Sequence, residues 1–241
     1  MYTYELKVGY SQTDEGLKMS IPSILDSFQD AATYESQQGK ITMDYLRERN
    51  LVWLLSAWQI EFIRRPNINE AIRVTTFPYE FRNFLGYRNF LITTLNDEVL
   101  VKGNSIWTLI DTKKMHPAKT TPEILAGYEL REKLEMDYAP RKIDVIGELV
   151  QKDSFSVRRC QIDSNHHVNN VEYVRMAMEY LSYGEEHGLK VDDVSQIRVE
   201  YKNAAVMGDI IVPQVYSDSE SVQVKLSNEE NNTFAVVEFI K

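Results

Sequence analysis

The sequence repeats itself. Ile60-Glu-Phe-Ile-Arg-Arg-Pro-Asn-Ile-Asn-Glu70 lies without gaps on Val199-Glu-Tyr-Lys-Asn-Ala-Ala-Val-Met-Gly-Asp209. Both stretches open apolar, glutamate, aromatic, and both meet an acidic residue at the same distance before a new strand-like run. Upstream, Asp14 ahead of one apolar helical stretch matches Asp163 ahead of another. A chain of 241 residues written this way is constrained to two similar units of about 120 residues, each with its own apolar face to bury.

The periodicities say what each unit contains. Residues 2–10 alternate as a strand does. Ser20 then caps a helix with Pro22 in its first turn, and Ile21, Ile24, Leu25, Phe28, Ala31 and Ala32 form one buried stripe. Strands follow over 51–66, 70–80, 85–95 and 98–110, with Asn96-Asp97 as a hairpin turn. Residues 112–145 are charged, weakly periodic and hold Pro117, Pro122 and Pro140. The second pass predicts a strand over 148–160, a helix over 171–183, and strands over 194–203, 209–217, 220–227 and 232–240. Glu172, Arg175 and Glu179 form the narrow polar stripe of that helix, so a sheet should wrap its other sides. One helix cradled by an antiparallel sheet is the hotdog arrangement. The chain reads as α+β, a tandem double hotdog: residues 1–125 the first domain, 126–146 a linker, 147–241 the second domain.

The second unit carries the polar chemistry. Asp163-Ser-Asn-His-His-Val-Asn-Asn170 runs straight into the apolar helix. Asn169 can cap that helix, with Glu172 completing a capping box. The N–H groups of its first turn would then face the polar cluster and could polarise a carbonyl. His167 is the natural proton carrier. Asp163 could orient it, act as base toward water, or attack a carbonyl, and Asn165 could position water or substrate without titrating. Each of the three alone would read as a turn or cap residue. Together they point to catalysis, because the first unit has Gly16 and Lys18 where the second has Asn165 and His167. A metal site from Asp163, His166 and His167 is disfavoured, since adjacent histidines point apart and no further ligand is evident. No metal or organic cofactor is expected.

Composition narrows the setting. A net charge of -9 argues against nucleic acid as a partner. No apolar run approaches a membrane span and the N-terminus has no signal-peptide core, so a cytoplasmic protein without membrane insertion is expected. Cys160, the lone cysteine, allows no internal disulfide and is read as a structural residue in a strand near the site.

The pattern Asp163-x-Asn165-x-His167-Val-Asn-Asn-x-x-Tyr173 resembles the active-site motif of the acyl-acyl-carrier-protein (acyl-ACP) thioesterases, the plant-type enzymes and their bacterial relatives built from two hotdog domains. Phe28-Gln-Asp-Ala31, Trp58 to Arg65, Gly86-Tyr-Arg-Asn-Phe90 and Trp107 look like the same family, so the resemblance covers most of the chain. It implies that Asp163, Asn165 and His167 are catalytic. It implies a fatty acyl chain on acyl carrier protein as substrate, hydrolysed to fatty acid in fatty acid biosynthesis, with the N-terminal hotdog shaping the acyl pocket.

One departure matters. Plant members have a Glu-Cys pair shortly after their Glu-Tyr-Arg-Arg strand, and here Glu200-Tyr-Lys-Asn203 is followed by Ala204-Ala205. Glu200 sits about 13 Å from Ala204 on a strand and cannot substitute. That leaves an Asp/His-assisted route and keeps a non-catalytic acyl-binding module as a rival, while an acyl-CoA thioesterase is the alternative among enzymes. Arg64-Arg65, Arg82, Arg88, Lys113-Lys114 and Arg141-Lys142 are ordinary solvated charges or a dock for an acidic carrier protein. Monomer and homodimer are both left open.

Overall fold

The computed structural model describes residues 1–182 and 188–241. The predicted end of the second helix at Tyr183 therefore lies outside the described residues. The chain forms two compact units, Met1–Ser56 with Ile60–Tyr138, and Ala57–Gln59 with Ala139–Lys241.

The first unit holds β1 (Tyr2–Lys7), α1 (Ile21–Gln38), α2 (Met43–Glu48), β2 (Leu51–Phe62) apart from Ala57–Gln59, β3 (Ala71–Arg82), β4 (Leu85–Thr94), β5 (Val99–Asp111), β6 (His116–Pro117) and α3 (Pro122–Ala126). Its sheet runs β1-β3-β4-β5-β2, with β6 on β5. Ser20 caps α1 by accepting from the Ser23 N–H, and Pro22 sits in the first turn, as its sequence predicts. The apolar stripe of α1 is buried except at Ala32, which is half-buried. Phe28 meets Phe90 of β4 at 4.9 Å between ring centroids. A side chain at Gly103 of β5 would collide with the Phe28 ring at 2.8 Å, so this glycine sets how closely helix and sheet approach.

The second unit holds β7 (Glu148–Gln151), β8 (Phe155–Ser156), α4 (Asn170–Met178), β9 (Gln196–Tyr201), β10 (Ile210–Ser217), β11 (Ser221–Ser227) and β12 (Thr233–Ile240). Its sheet runs β9-β12-β11-β10-β7, and β8 pairs with β10. Val171, Tyr173, Val174, Met176 and Ala177 bury α4 against it. Each unit is thus one long helix on an antiparallel sheet, the expected hotdog. Among the described residues no helix is long and apolar enough to cross a membrane.

Several predicted elements come out shorter, among them the strand over 51–66, which ends at Phe62, and the strand over 194–203, which spans Gln196–Tyr201. The strand over 2–10 ends at Lys7, because Gly9 to Gln12 turn instead. The strand over 148–160 is two short pieces. Opposite its gap lies Pro213, which has no N–H to donate, and the ladder resumes only at Phe155–Ile211. The helix ends at Met178, after which Tyr180 and Leu181 make tight turn bonds back to Ala177 and Met178.

The irregular stretch after α3 is ordered by side-chain acceptors. In the first unit, Asn89 projects from β4 on the face opposite Phe90 and α1. It is fully buried, and its Oδ1 accepts from the Leu134 N–H at 3.0 Å and the Tyr138 hydroxyl at 3.0 Å. In the second unit, the Glu200 carboxylate accepts from the Ile143 N–H at 3.2 Å, and Gln223 Oε1 from the Ile146 N–H at 2.7 Å. Arg198 donates to the carbonyls of Pro140 and Lys142 at 2.7 and 3.1 Å. The buried polar residues of each sheet therefore bind backbone that has no ladder of its own.

Candidate active site

The motif forms a small closed loop. An isolated bridge pairs Ile162 with Val168. Between them the Asp163 N–H donates to the His167 carbonyl at 2.9 Å and the His166 N–H to the Asp163 carbonyl at 3.1 Å. His166 takes the left-handed conformation, φ 62°, to close the turn. The Asp163 side chain then organises the interior of the loop. Its Oδ1 accepts from the Asn165 N–H at 2.7 Å and the His167 N–H at 3.4 Å, and its Oδ2 from the Asn165 side-chain amide at 3.3 Å. This is an Asx turn with an extra side-chain donor. Asp163 is half-buried, and Asn165, His166 and His167 are exposed.

The loop is docked from both sides. Val168 donates to the Ala205 carbonyl at 2.9 Å and Asn169 to the Gln161 carbonyl at 2.9 Å. Asn169 caps α4, its Oδ1 accepting from the Val171 N–H at 2.9 Å and its carbonyl from the Glu172 N–H at 3.0 Å. Those two amides are therefore spent on the cap. The side-chain donor at the Asp163 carboxylate is that of Asn165. The Glu172 carboxylate pairs with Arg175 at 3.0 Å.

Two tyrosines, Tyr173 buried and Tyr201 half-buried, hold this assembly. The Tyr173 hydroxyl accepts from the Ala205 N–H at 2.8 Å, and the Tyr201 hydroxyl donates to the Asn170 carbonyl at 2.9 Å. Their rings meet edge-on at 6.0 Å. Burial pushes the Tyr173 phenol up to about 12 and the Tyr201 phenol well above its ordinary value. Both stay neutral at physiological pH and serve as fixed hydrogen-bonding posts. Tyr173 belongs to the sequence motif, but its partner at Ala205 is a tertiary contact that no local pattern announces.

The first unit contains the same frame, bond for bond. Asp14 donates to the Lys18 carbonyl at 2.9 Å, Leu17 to the Asp14 carbonyl at 3.0 Å, and Leu17 has φ 55°. Asp14 Oδ1 accepts from the Gly16 N–H at 3.0 Å and the Lys18 N–H at 3.3 Å. Met19 donates to the Pro66 carbonyl, where Val168 donates to Ala205, and Ser20 to Gln12, where Asn169 donates to Gln161. The Glu70 carboxylate accepts from the Asn67 N–H at 2.8 Å and the Asp209 carboxylate from the Val206 N–H at 2.9 Å. The gapless register of the two letter strings is thus the structural register. In that register Arg65 corresponds to Ala204, and Arg65, buried, forms an ion pair with Asp14. Among the described residues no cation pairs with Asp163.

The structure brings Asp163 and Asn165 together and leaves the His167 imidazole exposed and, among the described residues, without a hydrogen bond. Asp163 holds His167 through its backbone rather than its ring. Glu200 follows the strand alternation onto the face away from Tyr201 and α4, and is occupied by Ile143 and, at 3.5 Å, by Lys202. Cys160 is exposed in the 3-10 turn Arg159–Gln161, not in a strand. Most of the basic clusters are consumed. Arg64 binds Glu70 at 2.7 Å and Glu98 at 3.1 Å, Arg82 binds Glu80, Arg88 binds Glu35, and Lys142 binds Asp144. Among the described residues no group of three or more His, Cys, Asp or Glu side chains is gathered as a metal site.

Comparison with known proteins places this geometry. The acyl-ACP thioesterase N-terminal domain family matches residues 1–128, and the acyl-ACP thioesterase C-terminal domain family matches residues 148–240. A chloroplastic acyl-[acyl-carrier-protein] hydrolase of Cuphea viscosissima is 29% identical over 134 residues, which are 53% of this chain and 32% of that protein. A chloroplastic oleoyl-acyl carrier protein thioesterase of Coriandrum sativum is 22% identical over 204 residues, 78% of this chain and 54% of that one. The chain thus spans between about a third and just over half of these relatives. Among solved structures, an acyl-ACP thioesterase from Bacteroides thetaiotaomicron shares the fold with a TM-score of 0.87 at 18% identity, covering 99% of this chain and 96% of that one. The 12:0-ACP thioesterase from Umbellularia californica does so with a TM-score of 0.78 at 16% identity, covering 99% and 96%.

Proposed function

Since the chain belongs to the acyl-ACP thioesterase family, we propose that it hydrolyses fatty acyl-ACP to free fatty acid and carrier, as a step of fatty acid biosynthesis. The observation that carries the reading is the carboxylate of Asp163, held in an exposed loop by Asn165 and freed of the arginine that neutralises its counterpart Asp14.

Asp163 Oδ1 takes two backbone donors, so Oδ2 is the oxygen that receives a proton from water as water attacks the thioester carbonyl. The Asn165 amide, the adjacent exposed donor, faces the carbonyl oxygen as negative charge develops there. Collapse of the tetrahedral adduct breaks the carbon–sulfur bond, and His167 gives a proton to the departing thiolate. Nothing at Ala204-Ala205 can act as nucleophile. The backbone there holds the loop and Tyr173.

The test is hydrolysis of an acyl-ACP panel from C8 to C18 by the wild type and by Asp163→Ala, Asn165→Ala and His167→Ala. Turnover by the wild type, with losses of about 10²-fold or more in the Asp163 and His167 variants, is expected. Binding of acyl-ACP without turnover on any chain length would replace the enzyme with a binding module.

A further inference from the structure

Thirteen arginines occur in the sequence. Ten of them form ion pairs with carboxylates, from Arg47 with Asp44 to Arg198 with Glu238. Among the described residues, Arg141, Arg158 and Arg159 are the three that do not. Arg158 and Arg159 are adjacent, both are exposed, and they stand on the turn that feeds directly into the Asp163 loop.

The fold does not require them. In the first unit the same turn is built from Gly9 and Tyr10, with the Gly9 N–H donating to Gln12 Oε1 at 2.9 Å. The Arg158 N–H makes the same bond to Gln161 Oε1 at 2.7 Å, a backbone contact indifferent to the side chain. Gln161 in turn accepts the Asn169 N–H, so the two guanidinium groups ride on a segment tied to the cap of α4. They are a local basic feature of an acidic chain, net -9, placed on the turn that leads into the Asp163 loop.

Resting on the acyl-ACP reading above, we infer that Arg158 and Arg159 form the docking contact for the acidic surface of the acyl carrier protein. An acidic partner is repelled by the molecule as a whole, so a local cationic contact must capture and orient it. The pantetheine arm then carries the thioester the remaining distance to Asp163. The role expected earlier of Arg64-Arg65 falls away, because both are committed to carboxylates.

The experiment compares the wild type with Arg158→Glu/Arg159→Glu, the milder Arg158→Ala/Arg159→Ala, and Arg141→Glu as a control in the second unit. Substrates are acyl-ACP and acyl-CoA of one chain length. Carrier binding is read separately by fluorescence anisotropy of labelled holo-ACP. The double reversal is expected to lower kcat/KM for acyl-ACP by about tenfold or more at low salt, to leave saturated kcat and acyl-CoA hydrolysis intact, and to weaken carrier binding in parallel. The alanine pair should fall between, and Arg141→Glu should match the wild type. Unchanged acyl-ACP kinetics and binding would overturn the assignment. An equal loss with acyl-CoA would overturn it too, showing contact with the phosphate of the arm rather than with the carrier. If the wild type hydrolyses no thioester, the hydrolase reading falls and the anisotropy alone decides the surface: weakened binding by the double reversal supports it, and unchanged binding removes it.

Discussion

The loops at Asp14 and Asp163 share a backbone and differ in electrostatics. Both carboxylates cap the same pair of N–H groups, and both close on a left-handed residue, Leu17 or His166. In the first loop a buried arginine neutralises the aspartate, and the flanking positions are Gly16 and Lys18. In the second the arginine position is Ala204, and the flanking positions are Asn165 and His167. The comparison teaches that the Asx turn is the structural requirement and the counter-ion is the variable. Asp14 keeps a buried arginine, and Asp163, the carboxylate proposed to do the chemistry, stands half-exposed without one among the described residues.

The sharpest way to break the comparison is to remove each charge in turn. Asp163→Asn retains an acceptor for the turn and should cost about 10²–10⁴-fold in acyl-ACP hydrolysis, with little change in urea stability. Asp14→Asn should do the reverse. It removes the negative charge that faces buried Arg65, at a cost of about 3 kcal/mol in chemical denaturation, and it leaves turnover near the wild-type rate. Equal effects of the two changes on activity would end the division of labour.

Ala204→Arg sharpens it further by rebuilding the first unit's ion pair in the second. A guanidinium beside Asp163 makes the carboxylate a weaker base, and kcat should fall about 10–100-fold while the melting temperature holds or rises. Ala204→Gln, of similar reach without the charge, should retain most of the activity. A smaller effect is expected at Glu200, whose place in the sequence tempts a catalytic reading. Glu200→Gln should keep the rate and cost about 1 kcal/mol through its bond to Ile143.

The smallest effect is a pH signature confined to the first unit. Hydrogen bonds from Arg64 hold the Glu70 carboxyl below the usual glutamate range. Its stabilisation is therefore complete above the unfolded value near 4.3 and is lost as pH falls through the lower folded value. Calorimetric scans between pH 3 and 6 should show the wild type losing melting temperature on acidification more steeply than Glu70→Gln. Parallel curves would remove Glu70 from the account.

Much of this was legible in the letters. Ile60–Glu70 aligns on Val199–Asp209 because both ends of the string have backbone jobs: Pro66 and Ala205 accept the loop's N–H, and Glu70 and Asp209 cap the next turn. Ser20 and Asn169 announced their helices because capping is local. The Asp14–Arg65 pair spans 51 residues, and the Tyr173–Ala205 bond spans 32. Partners that far apart leave no periodic trace. For the same reason Arg64-Arg65 reads as a surface cluster until the fold buries one member and pairs both.

Asn89, Glu200 and Gln223 each grip main-chain N–H groups of the irregular stretch between α3 and β7, contacts that do not depend on the side chains at Leu134, Ile143 and Ile146. The information that orders this stretch is thus stored elsewhere in the gene. Codons for the exposed residues of 129–146 are comparatively free to drift, Tyr138 and the buried Ile143 apart, whereas three polar codons embedded in apolar strands are not. A family alignment should show its invariant columns on the strands and a blurred column block over the segment they secure.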